Sequence, residues 1–465
     1  MLRTVIVKEL RMSLRMPAIY VVSLIFCTLL CGALITAQRS QYMRLREQQQ
    51  AEATFRHQWE TLDVDNAHGA AHYGTYVFSR PTLLYFFDKG ITDFTGNIYR
   101  IEAHKQHGFL APPVPVSGSY IRFGSLTIAT VLQLFLPLFL IFLCFDMYTS
   151  ERESGTLPLL QLQGAGNSLL LKGKAVAATL LAVLLLSIGW ITLVPLFMMQ
   201  LHTQYIHMGS LAGLLAAYFM YAAFFSLLSI MISSIAKRSG TALLVLLMIW
   251  LTAVILLPRV MSVIAEGRVQ LPSHFIVQKK MSDAEKFGLD GKSPRAMRQQ
   301  HFNDSLLKKY QVDSISYLPV NAAALWMQAA EDYNELIYEV YIGGVDSLIR
   351  EQNAYVAYAR WIDPFIALRE ISMGLCGTDL NAALHFQRTA RIYRNDFIRQ
   401  LNHKLAEGGK VTPDFYRQMR PFVYTPPTTE SVYKRLAPAF MALAAWLCIP
   451  LVGLFFLNRR KTILY

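Results

Sequence analysis

Three stretches of this sequence carry side chains whose types and spacing could do chemistry. The first is His68 and His72 in HGAAHYG. Four residues apart, they would share one face of a helix, and paired imidazoles are good ligands for a d-block metal. Glycines and a loop-like setting weaken that geometry, and neither a cysteine nor a third ligand stands nearby in the sequence. The expectation is structural or hydrogen-bonding histidines and no metal. The second stretch, Gly288-Leu289-Asp290-Gly291-Lys292-Ser293, imitates a phosphate-binding loop. The full GxxxxGKS/T spacing needs glycine at 286, where lysine stands, so this chain should not bind ATP in that manner. The third stretch, residues 148–174, reads YTSERESGTLPLLQLQGAGNSLLLKGK. It sets Glu151-Arg152-Glu153 beside the helix-start signal Ser154-Gly155-Thr156 and closes on Lys172 and Lys174. No HExxH, CxxC or GxSxG run occurs, so no catalytic centre is expected.

The elements that must position these residues are membrane helices. Of the 465 residues, 54% are hydrophobic and only 16% charged, and the apolar residues gather in runs of about twenty. The net charge of +13 does not point to nucleic acid, because the basic residues flank apolar runs or alternate with acids. Cys27, Cys31, Cys144 and Cys448 lie within apolar runs as small hydrophobes. Cys376 stands alone outside them, so no intramolecular disulfide framework is available there.

The fold class expected is an all-α polytopic membrane protein with six transmembrane helices, at 17–37, 121–147, 175–199, 211–235, 241–264 and 436–457. Residues 1–16 form a basic amphipathic helix, with Val5, Leu10 and Leu14 among Arg3, Lys8, Arg11 and Arg15, suited to the cytoplasmic surface. Ile35-Thr36-Ala37 is a passable cleavage site, but the long basic lead and long apolar run favour a retained anchor. Six spans place these basic residues on one side with Lys172, Lys174, Lys237, Arg238 and the tail 458–465, which carries Arg459, Arg460 and Lys461. The positive-inside rule makes that side the cytoplasm. Two inserts, 38–120 and 265–435, then face outward. Pro137, Pro195, Pro258 and Pro450 are expected to kink spans.

The first insert reads as a helix leaving the membrane, an irregular aromatic middle and an extended return through APPVPVSG. The second reads as mostly helical. Trp326, Ala330, Tyr333, Ile337, Val340, Val345 and Leu348 form one stripe from Asn321, with Gly343-Gly344 as a break. Tyr393, Phe397, Leu401 and Leu405 form another, ended by Gly408-Gly409. Such stripes are expected to be core seams. Within the spans, Asp146 lies at an inner end, Arg122 and Arg259 near outer ends, and Gln133 is the main polar side chain inside. That paucity argues against ion-coupled transporters and selective channels. The machine is expected to be driven from outside the membrane plane.

In residues 148–174, Ser154 or Thr156 can cap a helix and Gly155 permits a sharp turn as the chain leaves the membrane. Leu157, Leu159, Leu160 and Leu162 offer an apolar surface to a partner, with Glu151, Arg152 and Glu153 for charge pairing around it. A capped loop that touches nothing accounts for the same residues equally well.

The run SERESGTLPLLQL, followed by LLLKGKAVAATLLAVLLL, resembles the coupling-helix region of bacterial type-2 ABC exporter permeases. Those have an E-x-E-x-G-T-like stretch, an amphipathic helix and a G-K at the head of the next span. Glu151, Glu153, Gly155, Thr156, Gly173 and Lys174 match. Gly164-Ala165-Gly166 replaces the usual turn proline, a departure expected to loosen the turn. VKELRMSLRMP and the six-span layout are also similar to the family. HGAAHYGTYVF, FFDKGI, SMGLCGTDL and RIYRNDF resemble a large-insert branch, mostly without assigned substrate, that is distantly similar to the permeases of nitrous oxide reductase maturation.

The resemblance implies a permease subunit with no cofactor of its own, in the bacterial inner membrane with both termini cytoplasmic. Two copies of a cytoplasmic ABC ATPase would carry ATP and magnesium. A second permease copy or a sister permease, the lipid bilayer and a periplasmic protein complete the implied partners. The ATPase would dock on Glu151, Arg152, Glu153, Gly155, Thr156, Leu157, Leu159 and Leu160, supported by Lys237 and Arg238. Two other readings remain open: the same machine acting mechanically on a periplasmic partner without transport, and a membrane scaffold or receptor with no ATPase.

Overall fold

The computed structural model describes residues 1–79, 82–106, 126–191 and 208–459. Six helical segments among them are long and apolar enough to span a membrane: Pro17–Glu60, Ile128–Glu153, Asn167–Ile191, Met208–Ile235, Ser239–Arg268 and Thr429–Arg459. The expected all-α polytopic architecture is what the chain adopts, with one small β-ribbon. Arg122, Pro195, Arg460, Lys461 and the APPVPVSG return lie outside the described residues, as do the start of the second span expected at 121–147 and the end of the third at 175–199.

An amphipathic helix, α1 (Leu2–Arg15), precedes the first span. Pro17 at the first helical position starts α2 (Pro17–Glu60), which continues unbroken far beyond the expected span of 17–37. Its polar second half forms the wall of an insert body. A short helix α3 (Ala67–Tyr73) and the antiparallel strands β1 (Thr75–Phe78) and β2 (Ile98–Ile101) follow, paired from Thr75↔Ile101 to Phe78↔Ile98.

The second span shows how the bundle accommodates proline. Pro137 cannot donate to the Gln133 carbonyl, and a π-turn at Val131–Phe135 widens the helix just before it. The orphaned Gln133 carbonyl accepts from the Tyr221 hydroxyl at 3.1 Å, and the Leu134 carbonyl accepts from Trp250 Nε1 at 3.0 Å. A second π-turn, Thr252–Leu256, precedes Pro258 in the fifth span. The second span is thus stitched to the fourth through the carbonyl that the proline leaves to satisfy, and to the fifth through the neighbouring Leu134 carbonyl.

Beyond the second span's core helix α4 (Leu136–Cys144) come two short helices, α5 (Thr149–Glu153) and α6 (Thr156–Leu162). The third and fourth spans are α7 (Asn167–Ile191) and α8 (Met208–Ile235). The fifth comprises α9 (Ser239–Leu251) and α10 (Leu257–Arg268) on either side of its π-turn.

The second insert contributes α11 (His274–Phe287), α12 (Arg295–Tyr310), α13 (Ala322–Tyr358), α14 (Pro364–Cys376) and α15 (Leu380–Ala406); the last span is α16 (Thr429–Arg459). Asn321 caps α13 by accepting from the Ala323 and Ala324 amides. The break expected at Gly343-Gly344 does not occur, since α13 runs through both. Each glycine costs about 1 kcal/mol against alanine, and packing of this long helix along α10, α11 and α15 outweighs that local preference. By contrast α15 does end before Gly408, whose φ is +70°.

Two features were not foreseen. The inserts do not fold separately: Trp59, Ala70 and Ile101 of the first share one core with Phe386, Phe397 and Tyr416 of the second. The Trp59 ring lies 4.7 Å from Phe397 and 4.9 Å from Tyr416, centroid to centroid. In addition, α14 belongs to the membrane bundle rather than to the insert body. Asp363 caps it, and its Ile366, Leu368, Ile371 and Leu375 are buried against α8 and α16 in the same core as the spans.

Candidate functional site

The stretch 148–174 is a platform on which the ends of several spans converge. Gly155 adopts φ +69°, the left-handed region, and lets the chain turn sharply from α5 into α6. Neither Ser154 nor Thr156 caps α6. Both hydroxyls turn back toward the Glu151 carbonyl at the end of α5, at 3.4 and 3.3 Å. The left-handed residue already sets the entry angle of α6, so the hydroxyls serve the helix that ends rather than the one that begins.

The charged triplet does not face a partner as a unit; each member fastens another element. Glu151 is only 4% exposed. Its Oε1 lies 3.0 Å from Nζ of Lys174, which is fully buried, and it also pairs with Lys8. Lys174 donates to Glu9 Oε1 at 2.9 Å as well as to the Met147 carbonyl. The cluster Lys8–Glu9–Glu151–Lys174 therefore locks the N-terminal helix and α5 to the head of α7. Val5 sits directly on Gly173, where an added Cβ would stand 2.5 Å from Val5 Cγ1. For Lys8, burial opposes the charge, but hydrogen bonding to Glu151 and the fields of Glu9 and Glu151 prevail and raise its pKa above 10.5.

Arg152 donates to the Ser234 carbonyl at 2.8 Å and to the Ala236 carbonyl, which places a cation at the C-terminus of α8. Glu153 accepts from the Ser239 amide at 2.9 Å and from its hydroxyl at 2.7 Å, at the N-terminus of α9. Those two bonds hold the Glu153 carboxyl below its ordinary 4.5. This contact is complete above the ordinary carboxylate range and is lost as pH falls through the depressed value. The triplet thus brackets the turn carrying Lys237 and Arg238, both exposed beside α5.

On α6 the apolar residues divide. Leu157 is buried in the bundle core and Leu160 packs partly against it. Leu159 is 59% and Leu162 85% exposed. Glu151 and Leu157, expected to meet a partner, instead face inward, because Lys174 and the bundle core claim them. The outward surface is Pro158, Leu159 and Leu162, flanked by Glu153 and Thr156. Nor is the following turn loose. Gly164, with φ +89°, ends α6 in a Schellman arrangement, the Ala165 amide donating to the Leu160 carbonyl at 3.0 Å.

At the opposite end of the bundle, FFDKGI meets SMGLCGTDL. The Ile91 amide donates to the Thr378 carbonyl at 3.0 Å, and the Thr82 hydroxyl donates to the Cys376 carbonyl at 3.1 Å. Asp88 is buried with Gln133, Tyr218 and Ser372 in a single hydrogen-bonded network. Gln133 is therefore not the main polar group of the interior by itself; an acid from the first insert reaches it. His68 and His72 do share a helix, α3, and the ribbon brings His104 to them, so the third imidazole missing from the sequence neighbourhood comes from 32 positions further on. In the phosphate-loop lookalike, the Lys292 and Ser293 amides both donate to Asp290 Oδ1 at 3.0 Å and so point into their own turn.

No curated protein matches this chain. A domain of unknown function, DUF3526, matches residues 274–425, the bulk of the second insert. The model of the ABC-2 family of transporter proteins matches residues 3–311, more than half the chain, from the N-terminal helix through all of the α5–α6 platform. With six spans, the two-helix connection and the N-terminal surface helix in place, this chain is a multi-pass membrane protein of the ABC-2 transporter family, a type-2 ABC permease component.

Proposed function

We propose that the chain is the membrane subunit of an ATP-driven exporter in the bacterial inner membrane. On this reading a separate ATPase, in two copies on a permease dimer, docks on α6 and holds ATP and magnesium. The observation that carries the reading is the exposure of Leu159 and Leu162 on a short helix that seats Leu157 and Leu160 in the bundle core and follows directly on α5, itself fastened to α1, α7, α8 and α9. Water-exposed leucines on a rigid mount are a partner's surface, and burying each contributes roughly 1.5–3 kcal/mol. Force on α6 would pass through the core contacts of Leu157 and Leu160 and through the short Gly155 turn to α5, and from α5 to four helices.

The cytoplasmic assignment rests on Arg3, Lys8, Arg11, Lys172, Lys237, Arg238 and Arg459, gathered at this end. The spans at Pro17–Glu60, Ser239–Arg268 and Thr429–Arg459 are the least buried of the six, which leaves faces for a second permease copy and for lipid. A mechanical output on a periplasmic partner is the second reading. It is favoured by α2, whose 44 residues make a rod of about 66 Å joining the bundle to the insert body.

The test is co-purification of the tagged chain, expressed from its own locus, in detergent. An ATPase subunit should accompany the wild type and the control Val423→Asp, an exposed site on the insert body, and should be lost from Leu159→Asp and Leu162→Asp. An ATPase retained in both variants, or absent throughout, would count against the docking surface.

A further inference from the structure

The histidines of the insert body form a constellation that the coupling function leaves unused. We propose that His68, His72 and His104 bind a divalent d-block ion of zinc type through three imidazole nitrogens, leaving a fourth coordination position open. His68 and His72 lie one turn apart on α3, with their Nε2 atoms 3.1 Å apart. In a tetrahedral zinc site with metal–nitrogen distances of roughly 2.0–2.1 Å, neighbouring ligand nitrogens stand about 3.3–3.4 Å apart. The pair is thus already near bidentate spacing.

His104 completes the set from the other side of the ribbon. The Ala103 amide donates to the Ala71 carbonyl at 2.9 Å, which fixes the end of β2 against α3. The ring of His104 then lies 5.5 Å from His68 and 5.1 Å from His72, and one ring nitrogen of each residue falls within 4.8 Å of the others. His72 and His104 are exposed, so side-chain rotation can close the remaining gap and solvent can supply a fourth ligand.

What distinguishes this from three histidines that happen to meet is the support behind His104. Its backbone is held at φ +62°, an unfavourable region for a residue with a Cβ. Glu331 Oε1 accepts from the His104 amide at 2.7 Å and lies 2.9 Å from its Nδ1. A carboxylate on Nδ1 orients the ring and directs Nε2 outward, the usual backing of a metal-bound histidine. Glu331 is itself fixed by Arg394, 2.7 Å from Oε2, and both side chains are almost fully buried. All three donors are nitrogen, which suits zinc and its neighbours and not calcium or magnesium. An ion here would clamp α3 of the first insert, through His104 and Glu331, to α13 of the second.

The test uses the full chain in detergent, with its tag removed and stripped by chelator, titrated with Zn2+ by calorimetry and with Co2+ by visible absorption. Expected are one ion per chain, a tetrahedral Co2+ spectrum, loss of both in His72→Ala, and affinity weakened ten- to a hundredfold in Glu331→Gln. His72 is exposed, so its variant should keep the wild-type elution volume and circular dichroism. Stoichiometric binding that survives His68→Ala with His72→Ala would put the ion elsewhere. No binding at micromolar Zn2+ would leave three hydrogen-bonded histidines only. Either result overturns the proposal.

Discussion

Replacing Lys174 by methionine should destabilise the protein by about 3–5 kcal/mol, because it strands two buried carboxylates. Glu9 and Glu151 are 3% and 4% exposed, and the ammonium between them is fully buried. Lys8 still pairs with Glu151 and lies 3.2 Å from Glu9 Oε1, but it is partly exposed, so both acids lose their only fully buried counter-charge. The expected readout is a large drop in apparent melting temperature in detergent, together with faster tryptic cleavage in α1 at Arg3, Lys8 and Arg11. Adding Glu9→Gln and Glu151→Gln should recover most of the loss, since replacing a whole buried ion cluster is far less costly than breaking it. A single variant that melts like the wild type would mean that the cluster does not hold α1 to α7.

Gly90→Ala should have the second-largest effect, at the far end of the bundle. Gly90 has φ +49°, and an added Cβ would stand 2.4 Å from the Thr378 carbonyl oxygen. The left-handed backbone costs roughly 1–3 kcal/mol for a residue with a side chain, and forcing the contact apart costs roughly 1–3 more. The strand of contacts from Ile91 to Thr378 and from Asp88 to Ser372 would open, and with it the attachment of the first insert to α14. Gly377→Ala is the control: φ is +68°, but nothing lies within 4 Å of an added Cβ. Melting should therefore fall clearly further for Gly90→Ala than for Gly377→Ala. Equal losses would reduce the effect to backbone strain and remove the argument for a tight junction.

Much of the membrane architecture was legible because an apolar run of about twenty residues has few alternatives. The sharp turn at Gly155 was legible too, since a glycine between two helical signals marks a left-handed turn. The direction in which each side chain of the platform points was not. Glu151 looked like a partner-facing acid because its neutralising groups, Lys8 and Lys174, stand 143 and 23 positions away. The ties of Arg152 to the Ser234 carbonyl and of Glu153 to Ser239 are hidden for the same reason. One signal was available: Lys174 opens an apolar span, where an ammonium needs a counter-charge close at hand.

The inserts were harder still. Their separate stripes gave no sign that Trp59 would pack on Phe397, nor that α14 would join the bundle. The apolar run PFIALREISMGLC after Asp363 was the visible clue, but at thirteen residues it is too short to read as a span. At Gly343-Gly344 local propensity pointed to a break, and tertiary packing prevailed.

The most direct measurement is a photocrosslink from the tip of α6. A photoreactive phenylalanine in place of Leu162, 85% exposed, should capture a single ATP-binding subunit in membranes upon illumination, and addition of ATP with vanadate should change the yield. The same probe at Val423 on the insert body should capture none of that subunit. If Leu162 captures only lipid or the chain itself in membranes where an ATPase demonstrably co-purifies, α6 is not the coupling surface and the proposed route for force into the spans is wrong.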